Sequence, residues 1–279
     1  MSLIKRWFSF YVFANVHVGL AAWCLTKITI AAFEVENDSL AYFVFFSTIL
    51  SYNFIRVIRL DSINSMIGNW IRSNKRSLIM LNSLCLMSII YLLFFFSTLE
   101  FLFLVPFFLL SLFYVIPLTA KIKGLRQIPG LKLIIISFTW AAVTVYLPLF
   151  SSNLLESDEL RIVFMQRLLF IMAITIPFDI RDTHLDVPDL KTLPQLIGAG
   201  SSKAFAVFLI VVFQWLDYYR TAHLGISFAV TGIVSVFSIL LILGARERQK
   251  RFYSSFWVES IPILWYGLLL ISENLNIVQ

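Results

Sequence analysis

The chain has 279 residues, 59% of them hydrophobic and only 14% charged, with a net charge of +6. Soluble domains carry about 25% charged residues, so this composition excludes a water-soluble globular protein and implies a polytopic membrane protein. The net positive charge follows from membrane topology, as shown below, and asks for no nucleic-acid partner. Cys24 and Cys85 lie in apolar runs without metal-ligand spacing and read as packing residues rather than a disulfide.

A spanning helix takes about 20 residues. Nine apolar runs approach that length, near 8–31, 40–58, 77–97, 99–118, 132–150, 162–178, 202–218, 224–244 and 256–272, the third and fourth parted only by a turn at Thr98–Glu100. The expectation is an all-α bundle of about nine transmembrane helices, a single integral membrane domain over 1–279. No cleavable signal peptide is expected, because the first run is long and lacks a small-residue cleavage site. With the N-terminus inside, the loops alternate so that every Lys and Arg is inside except Lys27, Arg161, Arg167 and Arg220. This is a strong positive-inside bias. It makes the N-terminus cytoplasmic, puts the C-terminus outside, and gives the inner face an attraction for anionic membrane lipids.

In chain order, the first run carries Asn15 and His17. Such a polar pair either hydrogen-bonds a neighbouring helix or faces a substrate. The second run ends in SYNFIRVIRLDS, where Asn53 and Asp61 share a broad helical face, Arg56 flanks it and Arg59 points away to the headgroups. In the GNWIRSNKRS stretch that follows, Arg72, Lys75 and Arg76 serve as topology determinants or as diphosphate-binding groups. After the fourth run comes YVIPLTAKIKGLRQIPGLK, in which Pro117 and Pro129 break the helix. The result is a structured inside loop bearing Tyr114, Lys121, Lys123 and Arg126.

The most polar stretch is Pro177 to Gly198, PFDIRDTHLDVPDLKTLPQLIG, which also holds Lys191. Asp179, Asp182 and Asp186 are spaced i, i+3 and i+7, which on a helix turns all three into an arc of roughly 60°. Three like charges on one face repel unless a cation joins them. Oxygen-only ligands select a hard ion, for which magnesium held between carboxylates and a substrate phosphate is the usual case. The alternative is a solvated helix end where acids cluster. The loop RERQKR is a topology signal, and Glu259 in the ninth run is either functional or snorkels to the inside boundary. Walker-type, HExxH and GxSxG motifs are absent, as is any sequence repeat.

This pattern resembles the UbiA superfamily of intramembrane prenyltransferases. Nine spans with an inside N-terminus fit, and the second aspartate motif of that family, DxxDxxxD, matches as Asp179, Asp182 and Asp186. The KTLP that follows, Lys191 to Pro194, is similar to the family's continuation, and Tyr114, Pro117, Lys121 and Lys123 loosely resemble its YxxPxxRxK loop. The first motif, NDxxDxxxD, departs: Asn53 and Asp61 hold the outer positions, while Phe54 and Val57 stand where the pattern has acids.

The resemblance implies a magnesium-dependent transfer of a prenyl group from a prenyl diphosphate to an aromatic or other lipophilic acceptor. The implied metal ligands and catalytic residues are Asp179, Asp182, Asp186, Asn53 and Asp61, with Arg56, Arg72, Tyr114, Lys121, Lys123 and Lys191 on the diphosphate. Arg56 in particular could replace part of the charge of a magnesium ion weakened by Val57. Two other classes stay open: an isoprenoid-binding protein of the same fold without turnover, and a transporter using Asn15, His17 and Glu259.

Overall fold

A backbone in hydrocarbon must satisfy its own polar groups, so apolar runs of this length have one regular solution, the helix. All regular structure among the described residues is helical. The computed structural model describes residues 3–58, 65–116, 124–125, 128, 130–150, 152, 154–184, 190–221 and 226–274. In order these form α1 (Leu3–Phe13), α2 (Val16–Ala32), α3 (Asp38–Ile58), α4 (Ser65–Ser73), α5 (Lys75–Leu93) and α6 (Thr98–Val115). They continue as α7 (Leu131–Val145), α8 (Asp158–Asp182), α9 (Leu193–Thr221), α10 (Ile226–Gly244), a π-helical turn (Tyr253–Val258) and α11 (Ile261–Asn274).

The protein is a multi-pass membrane protein. Among the described residues seven helices are long and apolar enough to cross a bilayer, and α1 with α2, bent by 56°, makes an eighth if the pair is one span. The apolar helix over Thr98–Tyr114 is shorter than these. Every expected run therefore falls on a helix, but the count by length and apolarity is seven or eight rather than nine.

Local chemistry explains the ends. Ser97 and Glu100 form a reciprocal capping box that starts α6. Ser157 caps α8 by accepting from the Leu160 amide at 3.2 Å, with Asp158 and Glu159 in the first turn where the helix dipole favours acids. Asn15, in the left-handed region at φ 63°, breaks the first span between α1 and α2. Gly198, at φ 79°, kinks α9 near its start.

Packing runs round the bundle: α8 lies between α7 and α9, α10 joins α9 to α11, and α2 contacts α11, α7 and α3, with α5 beyond α3. The core is a cluster in which the rings of Phe170, Phe213 and Trp265 meet at 5.3–5.4 Å. Arg167, counted with the outside charges from the sequence, is instead fully buried on α8. It donates to the Leu25 carbonyl at 2.6 Å and to the hydroxyls of Thr144 and Thr29 at 3.2 and 3.3 Å, stacked 5.4 Å from Trp265. It ties α2, α7, α8 and α11 together in the half of the bundle away from the aspartates.

Candidate active site

Because successive spans alternate in direction, the end of α3, the end of α6, the start of α7, the end of α8 and the start of the last span meet at one end of the bundle. These segments line a cavity of about 510 Å³. Its charged and phenolic lining is Tyr52 and Arg56 from α3, Tyr114 from α6, Lys132 from α7, Asp179, Arg181 and Asp182 from α8, and Glu259 beside the π-turn. Deeper in the bundle the lining is mostly apolar, with Phe43, Leu104, Phe107, Phe108 and Trp140, interspersed with hydroxyls such as those of Ser47, Thr139 and Thr144. Along α3, Phe43 and Arg56 are separated by about 20 Å at 1.5 Å per residue. The cavity is therefore a long slot, charged at one end and mostly apolar along its length.

The aspartate wall is held by ion pairs. Asp179 is 1% exposed, and its Oδ1 lies 2.6 Å from the Lys132 ammonium. Gly130 adopts φ 72° and begins α7 there, which puts Lys132 in the first turn facing α8. Asp182 is gripped by its neighbour Arg181, whose Nε and Nη2 donate to Oδ1 and Oδ2 at 2.7 and 2.9 Å, a bidentate fork. The remaining Nη1 of Arg181 donates to the Ser255 hydroxyl at 3.1 Å, and the guanidinium lies 5.3 Å from the Phe178 ring. Thr183 closes the helix end by donating to the Asp179 and Ile180 carbonyls at 3.0 Å.

Across the cavity, the break in the first span leaves carbonyls at the end of α1 without helical partners. Arg56 Nη1 donates to the Phe13 carbonyl at 2.5 Å. Asn53 donates from Nδ2 to the Ala14 carbonyl at 3.2 Å and to Asn82 Oδ1 at 2.8 Å, and its Oδ1 accepts from Asn15 Nδ2 at 2.8 Å. Asn53, expected to face the aspartates, is engaged in this network. It is 4% exposed, its amide is spent on the break between α1 and α2 and on α5, and it does not line the cavity. Phe54 and Val57 are 44% and 49% exposed and do not line it either. The face of α3 that meets the cavity carries Tyr52 and Arg56, not Asn53, Phe54 or Val57.

The structure thus brings Asp179, Asp182, Arg56 and Tyr114 together. Arg72 on α4 and Lys191, at φ 44° before α9, are exposed and are not lining residues. Asp61, Lys121, Lys123 and Asp186 lie outside the described residues, as do Pro117 and Pro129. Lys132 and Arg181 were legible only as topology charges, although Arg181 stands inside the aspartate motif itself. His17 does hydrogen-bond a neighbouring span. Its Nε2 lies 3.0 Å from the Phe256 carbonyl, an acceptor only, so Nε2 carries the proton and Nδ1 accepts from the Tyr11 hydroxyl at 2.8 Å.

Among the described residues no three His, Cys, Asp or Glu side chains converge as a metal cage. Asp179 and Asp182 nevertheless offer only carboxylate oxygen, the donor chemistry that suits a hard divalent cation.

No family model and no curated protein matches this sequence. Among solved structures, the fold matches that of a UbiA homolog from Aeropyrum pernix K1 in its apo form, with a TM-score of 0.63 and 13% identity. The match covers 98% of this chain and 100% of that one, so the two share a fold over their whole length.

Proposed function

We propose that this protein is an intramembrane prenyltransferase that moves a prenyl group from a prenyl diphosphate to an aromatic or other lipophilic acceptor. The observation that carries this reading is the polarity of the slot: cations and carboxylates at one end, a phenylalanine-lined, mostly apolar channel along the rest. A ligand that fits it has an anionic head and a long hydrocarbon tail, and the shared fold with a UbiA homolog points the same way. Arg56, Lys132 and Arg181 hold the diphosphate, fixed positive charge being most effective where negative charge develops. Tyr114 donates a hydrogen bond to the head group, and the apolar lining aligns the chain and excludes water.

Magnesium is part of the proposal. Asp179 and Asp182, with Asp186 of the same motif, would hold it, Lys132 and Arg181 turning from carboxylate to phosphate oxygen as ligand enters. When bound, it would supply charge neutralisation on the departing diphosphate.

The test is purified protein in lipid nanodiscs with radiolabelled farnesyl and geranylgeranyl diphosphate, with magnesium or with EDTA. Magnesium-dependent release of diphosphate together with a labelled prenylated lipid is the expected result. Absence of both binding and turnover would sink the reading. The exposed Phe54 and Val57 favour one alternative, an isoprenoid-binding protein without turnover, whose signature is saturable binding with no product.

A further inference from the structure

The last span enters the bundle through the π-helical turn Tyr253–Val258. Such single π-turns shift the register of the side chains that follow and recur at functional sites. Three other spans fix this one. From α2, His17 donates to the Phe256 carbonyl and stacks on its ring at 4.8 Å. On α8, the Pro177 carbonyl accepts from the Ser254 hydroxyl at 3.4 Å. On α10, the Leu241 carbonyl accepts from the Tyr253 hydroxyl at 2.7 Å. So held, the turn presents Ser255, Val258 and Glu259 to the cavity.

Glu259 differs from the other two described acids there. Asp179 is paired to Lys132 and Asp182 to Arg181. Among the described residues no hydrogen bond or ion pair closes on the Glu259 carboxylate; Arg56 and Arg181 act on it only through their fields. A carboxylate at membrane depth that the protein does not neutralise by contact is expensive and by default functional.

We propose that Glu259 is the base of the transfer step. This rests on the prenyltransferase reading, which requires such a group. The allylic carbon–oxygen bond breaks and its electron pair leaves on the diphosphate. The acceptor donates a pair to the allylic carbon to form the new bond. The attacked acceptor atom then carries a proton that must go elsewhere. Glu259 takes it, becomes a neutral carboxylic acid, and returns the proton to water when the products leave. Asp179 and Asp182 lie on the diphosphate side, where the proposed magnesium would occupy them. Tyr52 and Tyr114 offer phenol hydroxyls, which are much weaker bases than a carboxylate. Glu259, on the wall formed by the last span, is the remaining described carboxylate of the slot.

Wild type, Glu259→Gln and Glu259→Asp in nanodiscs test this, with radiolabelled geranylgeranyl diphosphate, magnesium, and the total lipid extract of the source membranes as acceptor pool. Three quantities are read: binding of the diphosphate, the prenyl alcohol formed by water capture, and the prenylated acceptor. The expected result for Glu259→Gln is unchanged binding and persisting prenyl alcohol, with prenylated acceptor reduced by about 100-fold or more; Glu259→Asp recovers part of the transfer. A merely structural glutamate would lower all three together, and that outcome overturns the proposal, as does undiminished transfer in Glu259→Gln. Wild type that binds the diphosphate without turnover overturns it too, since no proton is then released. Wild type that does not bind at all defeats the prenyltransferase reading itself.

Discussion

Asn53 and Arg56 stand three residues apart on α3 and divide its labour. Asn53 spends its amide on three neighbours in a nearly dry site, so Asn53→Leu leaves the Asn15 and Asn82 amides and the Ala14 carbonyl without their partner. The expected loss is about 1–3 kcal/mol, read as a lower melting temperature in detergent. Arg56 keeps one guanidinium nitrogen on the Phe13 carbonyl and presents the rest to the slot. If Arg56 holds the diphosphate as proposed, Arg56→Ala weakens prenyl-diphosphate binding about tenfold or more. Binding equal to wild type would reduce Arg56 to a suture of the broken span. Asp182→Ala, by contrast, removes a carboxylate that is 20% exposed and lines the slot, and is expected to spare the fold. Magnesium-dependent turnover falls by about 100-fold or more at unchanged protein level. Val57→Asp serves as the control: at 49% exposure and off the cavity, the new acid leaves the magnesium dependence of binding as it was.

At the scale of elements, two irregularities aim the site. The 56° break between α1 and α2 exposes the carbonyls that Arg56 and Asn53 cap, and the π-turn sets the direction of Glu259. Both depend on α2 lying close to its neighbours. Gly19 makes this possible: a Cβ there would meet Ile49 Cγ1 on α3 at 2.7 Å. Gly19→Val therefore forces α2 from α3, at a cost of about 1–3 kcal/mol. The expected signs are a lowered melting temperature and weakened prenyl-diphosphate binding together, because the two walls of the slot move apart. A variant that melts lower yet binds as wild type would show that the slot does not depend on this contact.

For the whole molecule, the positive-inside bias implies a direction of insertion, and we propose that the slot's charged end faces the cytoplasm. Cys24 and Cys85 are buried, so they stay silent toward a membrane-impermeant maleimide. Glu36→Cys, at an exposed position before α3, should label in intact cells, and Arg248→Cys, exposed after α10, only after permeabilisation. The reverse pattern would invert the molecule and place the aspartates outside.

Composition and periodicity by themselves determined the membrane class, the helical runs and the cluster of Asp179 and Asp182 at a helix end, because these depend on local hydropathy and on 3.6-residue spacing within one segment. A resemblance of motifs carried the expected fold. Which face of α3 meets the slot was decided only by the tertiary structure. Sequence spacing relates Asn53 to Asp61 but cannot say which neighbour α3 turns them toward; packing against α1, α2 and α5 buried Asn53 in a structural network and left Arg56 facing the aspartates. In the same way Lys132, Arg181 and Glu259 looked like charges at a membrane boundary. Lys132 meets Asp179 from 47 residues away, Arg181 reaches Ser255 across 74, and Glu259 faces the same cavity from the last span. Contacts across such separations arise from how helices assemble, and no local pattern encodes them.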